Sequence, residues 1–551
     1  MPTAARVLVD QLVACGATRT FGVPGESFLA VLDALVDTPQ LPFVACRHEG
    51  GAAFAAEAHG KLTGSPGVVL VSRGPGVLNA ATGIHTAQQD ETPLVVFVGQ
   101  LPIALRGRDG FQELDLANVF GSVCRWVHEV VDPARIAEVV ATAWSQAMSG
   151  RPGPVMVGLP EDLLEAEVTA GVVTPAPTTR TAVDAATASA VRELLAASER
   201  PVAIVGGSRW TDRAIEALPD VLPGVPLVTG FRRQDLVDHR LDVFAGSLGL
   251  GADPAVVDLV RAADLVLAIG DRLDDPTTNG FTLFAETTAP LVHVHPDPAE
   301  LGRNVRPRLA VAADPAAFLD AIGDVPSRPS WLPWAASAHH ANLAWHGSDG
   351  LLDDVVRGMR AMLPDDSIVT NGAGNFTRPL HRAFRYHRPG RQLAPCGGSM
   401  GYGLPAAMVA APEHPDRAVA VRRRDGDLMM TVQELPRSPT TGWAKSWCSS
   451  STTPATARSA PIRSAATPVD RRAPRSPVPT SCSSAGASGC EPNAPWPPTT
   501  PSPRCSGRSS RAPRRWCTSS RVDPCRPSCR GRRSGTLAAW RPTTCAPSGV
   551  S

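Results

Sequence analysis

The sequence predicts an α/β protein made of three doubly wound parallel-sheet domains in series, the third incomplete and followed by a disordered tail. Short, unbroken apolar runs recur as far as Val421, each bounded by Gly, Pro or a polar turn and separated by helical patterns. Unbroken rather than alternating runs mark strands covered on both faces, the habit of parallel sheets layered with helices. Two Pro-rich stretches, Thr169–Ala185 and Pro326–Trp334, divide the series and read as linkers. At Pro436 the pattern stops.

The first domain is expected over residues 1–170. The helix Arg6–Cys15 leads to a strand at Thr18–Val23, and Pro24-Gly25-Glu26 opens another helix. Further buried strands are expected at Val68–Ser72, Leu94–Gly99 and Pro154–Gly158. The second domain, 186–325, has strands at Pro201–Gly206, Val225–Thr229, Asp264–Gly270 and Leu291–His295, with a helix at Ala255–Ala263. The third, 345–435, runs from strand Ser367–Asn371 through a Gly-rich loop and helix Leu404–Ala411 to strand Ala418–Val421.

Composition narrows the function. The 551 residues carry 53 Lys+Arg against 52 Asp+Glu, a net charge of +1, which points to neither nucleic acid nor a membrane surface as partner. The start, Met1-Pro2-Thr3-Ala4-Ala5-Arg6, lacks the basic and then apolar segments of a signal peptide. No window approaches the roughly eighteen apolar residues of a spanning helix, so a cytoplasmic protein is expected. Of 12 Cys, only Cys15, Cys46, Cys124 and Cys396 precede residue 440, and the remainder show no metal-like spacing.

Four motifs carry chemistry. Glu49, in Arg47-His48-Glu49-Gly50-Gly51-Ala52-Ala53, is a carboxylate at a strand end; read alone it is a first-turn Glu favoured by the helix dipole. Arg73-Gly74-Pro75-Gly76-Val77-Leu78-Asn79 is a turn opening the next helix. Gly397-Gly398-Ser399-Met400-Gly401-Tyr402-Gly403 is either a tight turn or a close backbone approach to a ligand. Asp425-Gly426-Asp427 follows a strand, where an Asp either holds a metal and a diphosphate or lies on a surface turn.

In their order and spacing together these motifs resemble the thiamine-diphosphate enzymes that include acetolactate synthase and benzoylformate decarboxylase. Phe21-Gly22-Val23-Pro24-Gly25-Glu26, Phe111-Gln112-Glu113, Ala263–Gly270 and His295-Pro296-Asp297-Pro298 add to the match, which covers residues 4–435. The resemblance implies a pyrimidine-binding domain, a central domain and the first part of a diphosphate-binding domain. It implies thiamine diphosphate and Mg2+ as cofactors, with Glu49 on the aminopyrimidine ring and Phe111 and Gln112 on the substrate side. Pro24, Gly25, Gly74, Asn79, Gly398, Ser399, Met400, Gly426 and Asp427 would contact the cofactor, Met400 as the bulky prop that bends it. Asp425 would hold the metal. In the family this Glu serves a cofactor on the neighbouring subunit, so a homodimer or homotetramer is expected. The implied reaction is decarboxylation of a 2-oxo acid such as pyruvate, with carboligation to an acetolactate-type product. The alternatives are a non-carboligating decarboxylase like that for benzoylformate, for which His48 is a candidate, or an inactive product. FAD stays open, because Gly206-Gly207-Ser208 and Gly230-Phe231-Arg232-Arg233 either meet a nucleotide or are ordinary turns.

The family pattern breaks at two places. Arg424 stands where the metal motif should begin with Gly, and a long cation there crowds the turn and repels a divalent ion. The Asn that should close the motif falls at Thr452, inside a Ser/Thr run. From Pro436 to Ser551 the only Leu is Leu537 and the only Ile is Ile462, too little apolar surface to offset conformational entropy. Read two bases later in each codon, Trp443-Ala444 forces Gly and Trp447-Cys448 forces Val. Thr440–Ser459 then spells an apolar strand followed by Asp-Asn, given ordinary codons. The tail is therefore read as the wrong frame of a diphosphate-binding domain.

Overall fold

The unbroken apolar runs become parallel strands. A computed structural model describes residues 1–176, 181–285, 287–344 and 350–435, and the expected tail from residue 436 lies outside these. The first sheet comprises β1 (Thr20–Gly22), β2 (Phe43–Ala45), β3 (Gly67–Ser72), β4 (Leu94–Gln100), β5 (Trp126–Glu129) and β6 (Pro154–Pro160). Their order is β2-β1-β3-β4-β6-β5, with every pair parallel. The central β4 and β6 are buried along their whole length, as their apolar sequences require. Around them lie α1 (Ala4–Ala14), α2 (Glu49–Thr63) and α3 (Arg73–Asp90). The Gly/Ala content of α2 lets it lie directly on α3, where a Cβ on Gly83 would fall 2.4 Å from that of Ala53.

The central sheet comprises β7 (Pro201–Val205), β8 (Leu227–Thr229), β9 (Phe244–Ser247), β10 (Leu265–Ile269), β11 (Leu291–His295) and β12 (Leu309–Ala312). It is ordered β12-β11-β10-β7-β8-β9 and is also parallel throughout. Between β7 and β8 runs α4 (Asp212–Val221). The linker expected at Pro326–Trp334 is corrected here: α5 (Trp331–Ala344) begins inside it. Trp331 is fully buried and donates to the Ser198 carbonyl at 3.1 Å, so the aromatic anchor overrides the Pro-rich flank.

The third sheet has three described strands, β13 (Ile368–Asn371), β14 (Gln392–Leu393) and β15 (Val419–Arg422), in the parallel order β14-β13-β15. It carries α6 (Gly403–Glu413) and the short α7 (Asp425–Met429). The Arg73–Asn79 motif, expected to be a turn, forms the first turns of α3. Five strands went unread in the sequence: β2, β5, β9, β12 and β14. All lie at sheet edges, and β2, β5 and β12 are only partly buried, so they lack the long apolar signature.

Two buried polar seams join these layers. Between the first and third, the Tyr402 hydroxyl donates to Glu57 at 2.5 Å, and Lys61 bridges Glu57 and Asp90. Between the first and central, Glu91 meets His295 at 3.1 Å, Arg151 at 3.3 Å and Arg272 at 3.4 Å. No described helix is long and apolar enough to cross a membrane.

Candidate active site

Parallel sheets place their sites beyond the carboxyl ends of their strands, beside the point where strand order reverses. In the first sheet that point lies between β1 and β3, and the loops after β1, β2, β3 and β4 share its edge. Pro24 and Gly25 follow β1; a Cβ on Gly25 would fall 2.9 Å from that of Ser72, at the end of β3. Glu49 opens α2, directly after the β2 loop. Its Oε2 accepts from Asn79 Nδ2 at 3.0 Å, and a Cβ on Gly76 would stand 3.4 Å from Oε1. His48 is occupied as the cap of α2, its Nδ1 accepting from Gly50 N–H at 3.0 Å. Gly74 N–H donates to the Gln112 carbonyl at 3.0 Å, and Phe111 beside it is 76% exposed. Glu49, Asn79, Gly74, Gln112, Pro24 and Gly25 thus share one open edge.

The other predicted residues gather on the third sheet. Ser399 and Thr86 hydroxyls lie 2.7 Å apart, which seats the Gly398–Met400 loop on α3. Gly398 has φ +72°, with no atom of the described residues within 4 Å of where a Cβ would be, and Met400 is 41% exposed. Among the described residues, a Cβ on Gly426 would meet the Met400 Cε, at 3.7 Å. Asp427 is buried in the crevice between β13 and β15, its Oδ1 accepting from Gly401 N–H at 3.0 Å and Ala373 N–H at 3.2 Å. Burial pushes its carboxyl above the ordinary range. Asp425 is exposed in the first turn of α7.

Within one chain these two groups are offset. Ser399 meets α3 at Thr86, seven residues past Asn79, which is about 10 Å of helix. Tyr402 meets α2 at Glu57, eight residues past Glu49, which is about 12 Å. The sequence reading missed Glu434. Its carboxylate accepts from Arg47 N–H at 3.0 Å and His48 N–H at 3.0 Å, clamping the loop that delivers Glu49. Nothing local marks it, because its partners are backbone groups 386 and 387 residues away.

Three family matches fall on these sheets. Residues 2–119 match the thiamine pyrophosphate enzyme N-terminal TPP binding domain, 188–322 the central domain and 372–438 the C-terminal TPP binding domain. The acetolactate synthase isozyme 2 large subunit of Escherichia coli (strain K12) is 31% identical over 441 residues, covering 78% of this chain and 79% of that one. The acetolactate synthase large subunit of Parasynechococcus marenigrum (strain WH8102) is 31% identical over 458 residues, 78% and 73% respectively. Acetolactate synthase 1, chloroplastic, of Nicotiana tabacum is 30% identical over 456 residues, 78% and 67%.

The chain belongs to the thiamine pyrophosphate enzymes, in the acetolactate synthase family.

For a thiamine pyrophosphate enzyme the ring-binding parts fit the cofactor. Glu49 offers a carboxylate oriented by Asn79, and no described atom stands within 4 Å of a Cβ placed on Gly398. The divalent cation does not fit in the same way. Among the described residues no three His, Cys, Asp or Glu converge on a metal position, and Asp425 is a single exposed carboxylate behind Arg422-Arg423-Arg424. A divalent ion of this kind takes several oxygen donors. The donor expected near Thr452 lies outside the described residues.

Proposed function

We propose that this enzyme decarboxylates pyruvate and joins the two-carbon remainder to a second 2-oxo acid, giving an acetolactate-type product. The observation that carries this is Glu49, held by Asn79 at the open edge of the first sheet, in a chain 31% identical to an acetolactate synthase large subunit. Bound thiamine diphosphate supplies the carbon nucleophile and the electron sink for loss of carbon dioxide. The protein's part is to place and exchange protons. Glu49 Oε1 has no partner among the described residues and is the atom that would face a ring nitrogen, while Oε2 stays with Asn79. Glu434 holds the loop behind Glu49, and the backbone around Gly398 and Met400 receives the ring. Exposed Phe111 and Gln112 line the substrate side.

The offset between Glu49 and the Met400 loop supports a homodimer, in which each Glu49 serves the loop of the other copy. Magnesium belongs to this reading only with a donor from beyond residue 435. The out-of-frame reading of 436–551 supplies that donor, and the third family match stops at residue 438, close to where the apolar pattern ends. A cytoplasmic location accords with the balanced charge. The simple decarboxylase is the second reading, but its His48 is already engaged as a helix cap.

Incubation with pyruvate, thiamine diphosphate and Mg2+ tests the proposal. Acetolactate supports it, and acetaldehyde alone transfers the enzyme to the second reading. Neither product, from a gene that resequences in one unbroken frame from codon 415 to the stop, overturns both.

A further inference from the structure

The central sheet reverses strand order between β7 and β10, the crevice where a doubly wound sheet takes a nucleotide. Here that crevice is closed from within. The loop after β7 lies on the loop after β10: a Cβ on Gly207 would fall 1.8 Å from the Gly270 carbonyl oxygen. The Trp210 indole N–H returns to the Gly206 carbonyl at 2.8 Å, and Arg209 ties the same loop to Asp314 at 2.6 Å. Ser208 donates to Glu91 of the first sheet's α3 loop at 3.0 Å.

Asp271 fills what is left. A Cβ on Gly206 or on Gly230 would stand 2.0 or 1.9 Å from its Oδ2. Its Oδ1 accepts from Leu273 N–H at 2.7 Å, and its carbonyl lies 2.9 Å from His293 Nε2, so the residue is fixed at both ends. The glycines are therefore needed for the approach of Asp271 and Gly270, which take the place at Gly206, Gly207 and Gly230 that a diphosphate would use. The start of α4, which would face a diphosphate, carries Asp212, and its Thr211 cap already accepts from Ala214 N–H at 3.2 Å. A negative group at this end repels a second one.

We infer that the central layer binds no FAD or other adenine dinucleotide, because Asp271 and the Gly206–Trp210 loop occupy the crevice one would enter. This goes beyond the proposed function and does not rest on it. Admitting a dinucleotide would break the Arg209–Asp314, Trp210–Gly206 and Ser208–Glu91 contacts together. The full-length protein, chosen for a cooperative melt, is incubated separately with excess FAD, NAD+ and ADP. The readouts are flavin absorbance after gel filtration and the Tm with each nucleotide. The expected result is no retained flavin and a Tm unmoved by any of the three. A ligand present at a hundredfold its Kd raises Tm by several degrees. A flavin-to-chain ratio near one, or a saturable Tm rise with any of the three, would overturn the inference. None of these readouts depends on turnover, so they decide the matter equally well for an inactive enzyme.

Discussion

The first and central sheets each hold six parallel strands, and strand order reverses between β1 and β3 in one and between β7 and β10 in the other. Their carboxyl edges nevertheless differ. On the first sheet the loops stand back and leave Glu49 half-buried and Phe111 largely exposed. On the central sheet the loops fall onto one another, and Asp271 is 5% exposed between two glycines. The same architecture therefore leaves an open edge in one place and a packed seam in the other. What separates them is a few loop residues, since function is grafted onto a fold rather than implied by it. The third sheet stands between the two: space is open over Gly398 and Gly426, while Asp427 takes two backbone N–H groups in the crevice.

The sharpest way to break this comparison is at the open edge. Glu49→Gln keeps the shape and removes the carboxylate, so under the proposed function pyruvate turnover should fall about 10²–10⁴-fold with an unchanged melt. Loss of less than tenfold would remove the first sheet from the chemistry.

The next largest effect belongs to the closed seam. Glu91 is buried, which raises its pKa, yet His295, Arg272 and Arg151 hold the carboxyl well below the ordinary range. Glu91→Ala would leave those cations buried together, and urea unfolding should show a loss of about 3–5 kcal/mol. Because the depressed carboxyl stabilises only while ionised, its contribution is present above the ordinary carboxylate range and is lost as pH falls below it.

Asp271 has the opposite sign. Burial and the neighbouring Asp274 charge push its carboxyl from 3.8 up to about 7. Below pH 4 both states hold it neutral, and between 4 and 7 only the unfolded chain ionises it. Its contribution to stability therefore declines with rising pH, by at most about 4 kcal/mol, and levels off above 7. Asp271→Asn should flatten that part of the stability–pH curve; an unchanged slope would mean the group titrates normally.

The smallest effect is expected at Glu434. Glu434→Gln weakens two charge-assisted bonds worth about 1.5–3 kcal/mol each at most, and part of that is recovered by the amide oxygen. A fall in kcat of about tenfold with little change in KM would mark a positioning role. A change in Tm alone would make it structural.

Much of this was open to reading in the sequence, and the reason is local. Buried parallel strands such as Leu94–Gln100 and Leu291–His295 announce themselves through unbroken apolar runs, because each residue faces a covering helix. The half-buried edge strands β5 and β12 carry no such run and went unread. Glu49, Asn79 and the Gly398–Met400 loop stand in short motifs that are each ambiguous alone and were singled out by their order and spacing along the chain. Glu434 and Asp271 do not, because their partners are backbone atoms and glycines from distant parts of the chain.

The sequence by itself thus determined the layered α/β class, through apolar runs of neighbouring residues, and the family, through the order and spacing of motifs across residues 4–435. The tertiary structure alone decided which crevices are open. Whether Gly206 and Gly230 admit a ligand or a carboxylate depends on where Asp271 falls after β10 is set beside β7, a distance of tenths of an ångström that no spacing of residues encodes. It also decided that Glu49 and Met400 of one chain lie apart, since that offset is fixed by how α2 and α3 pack against the third sheet.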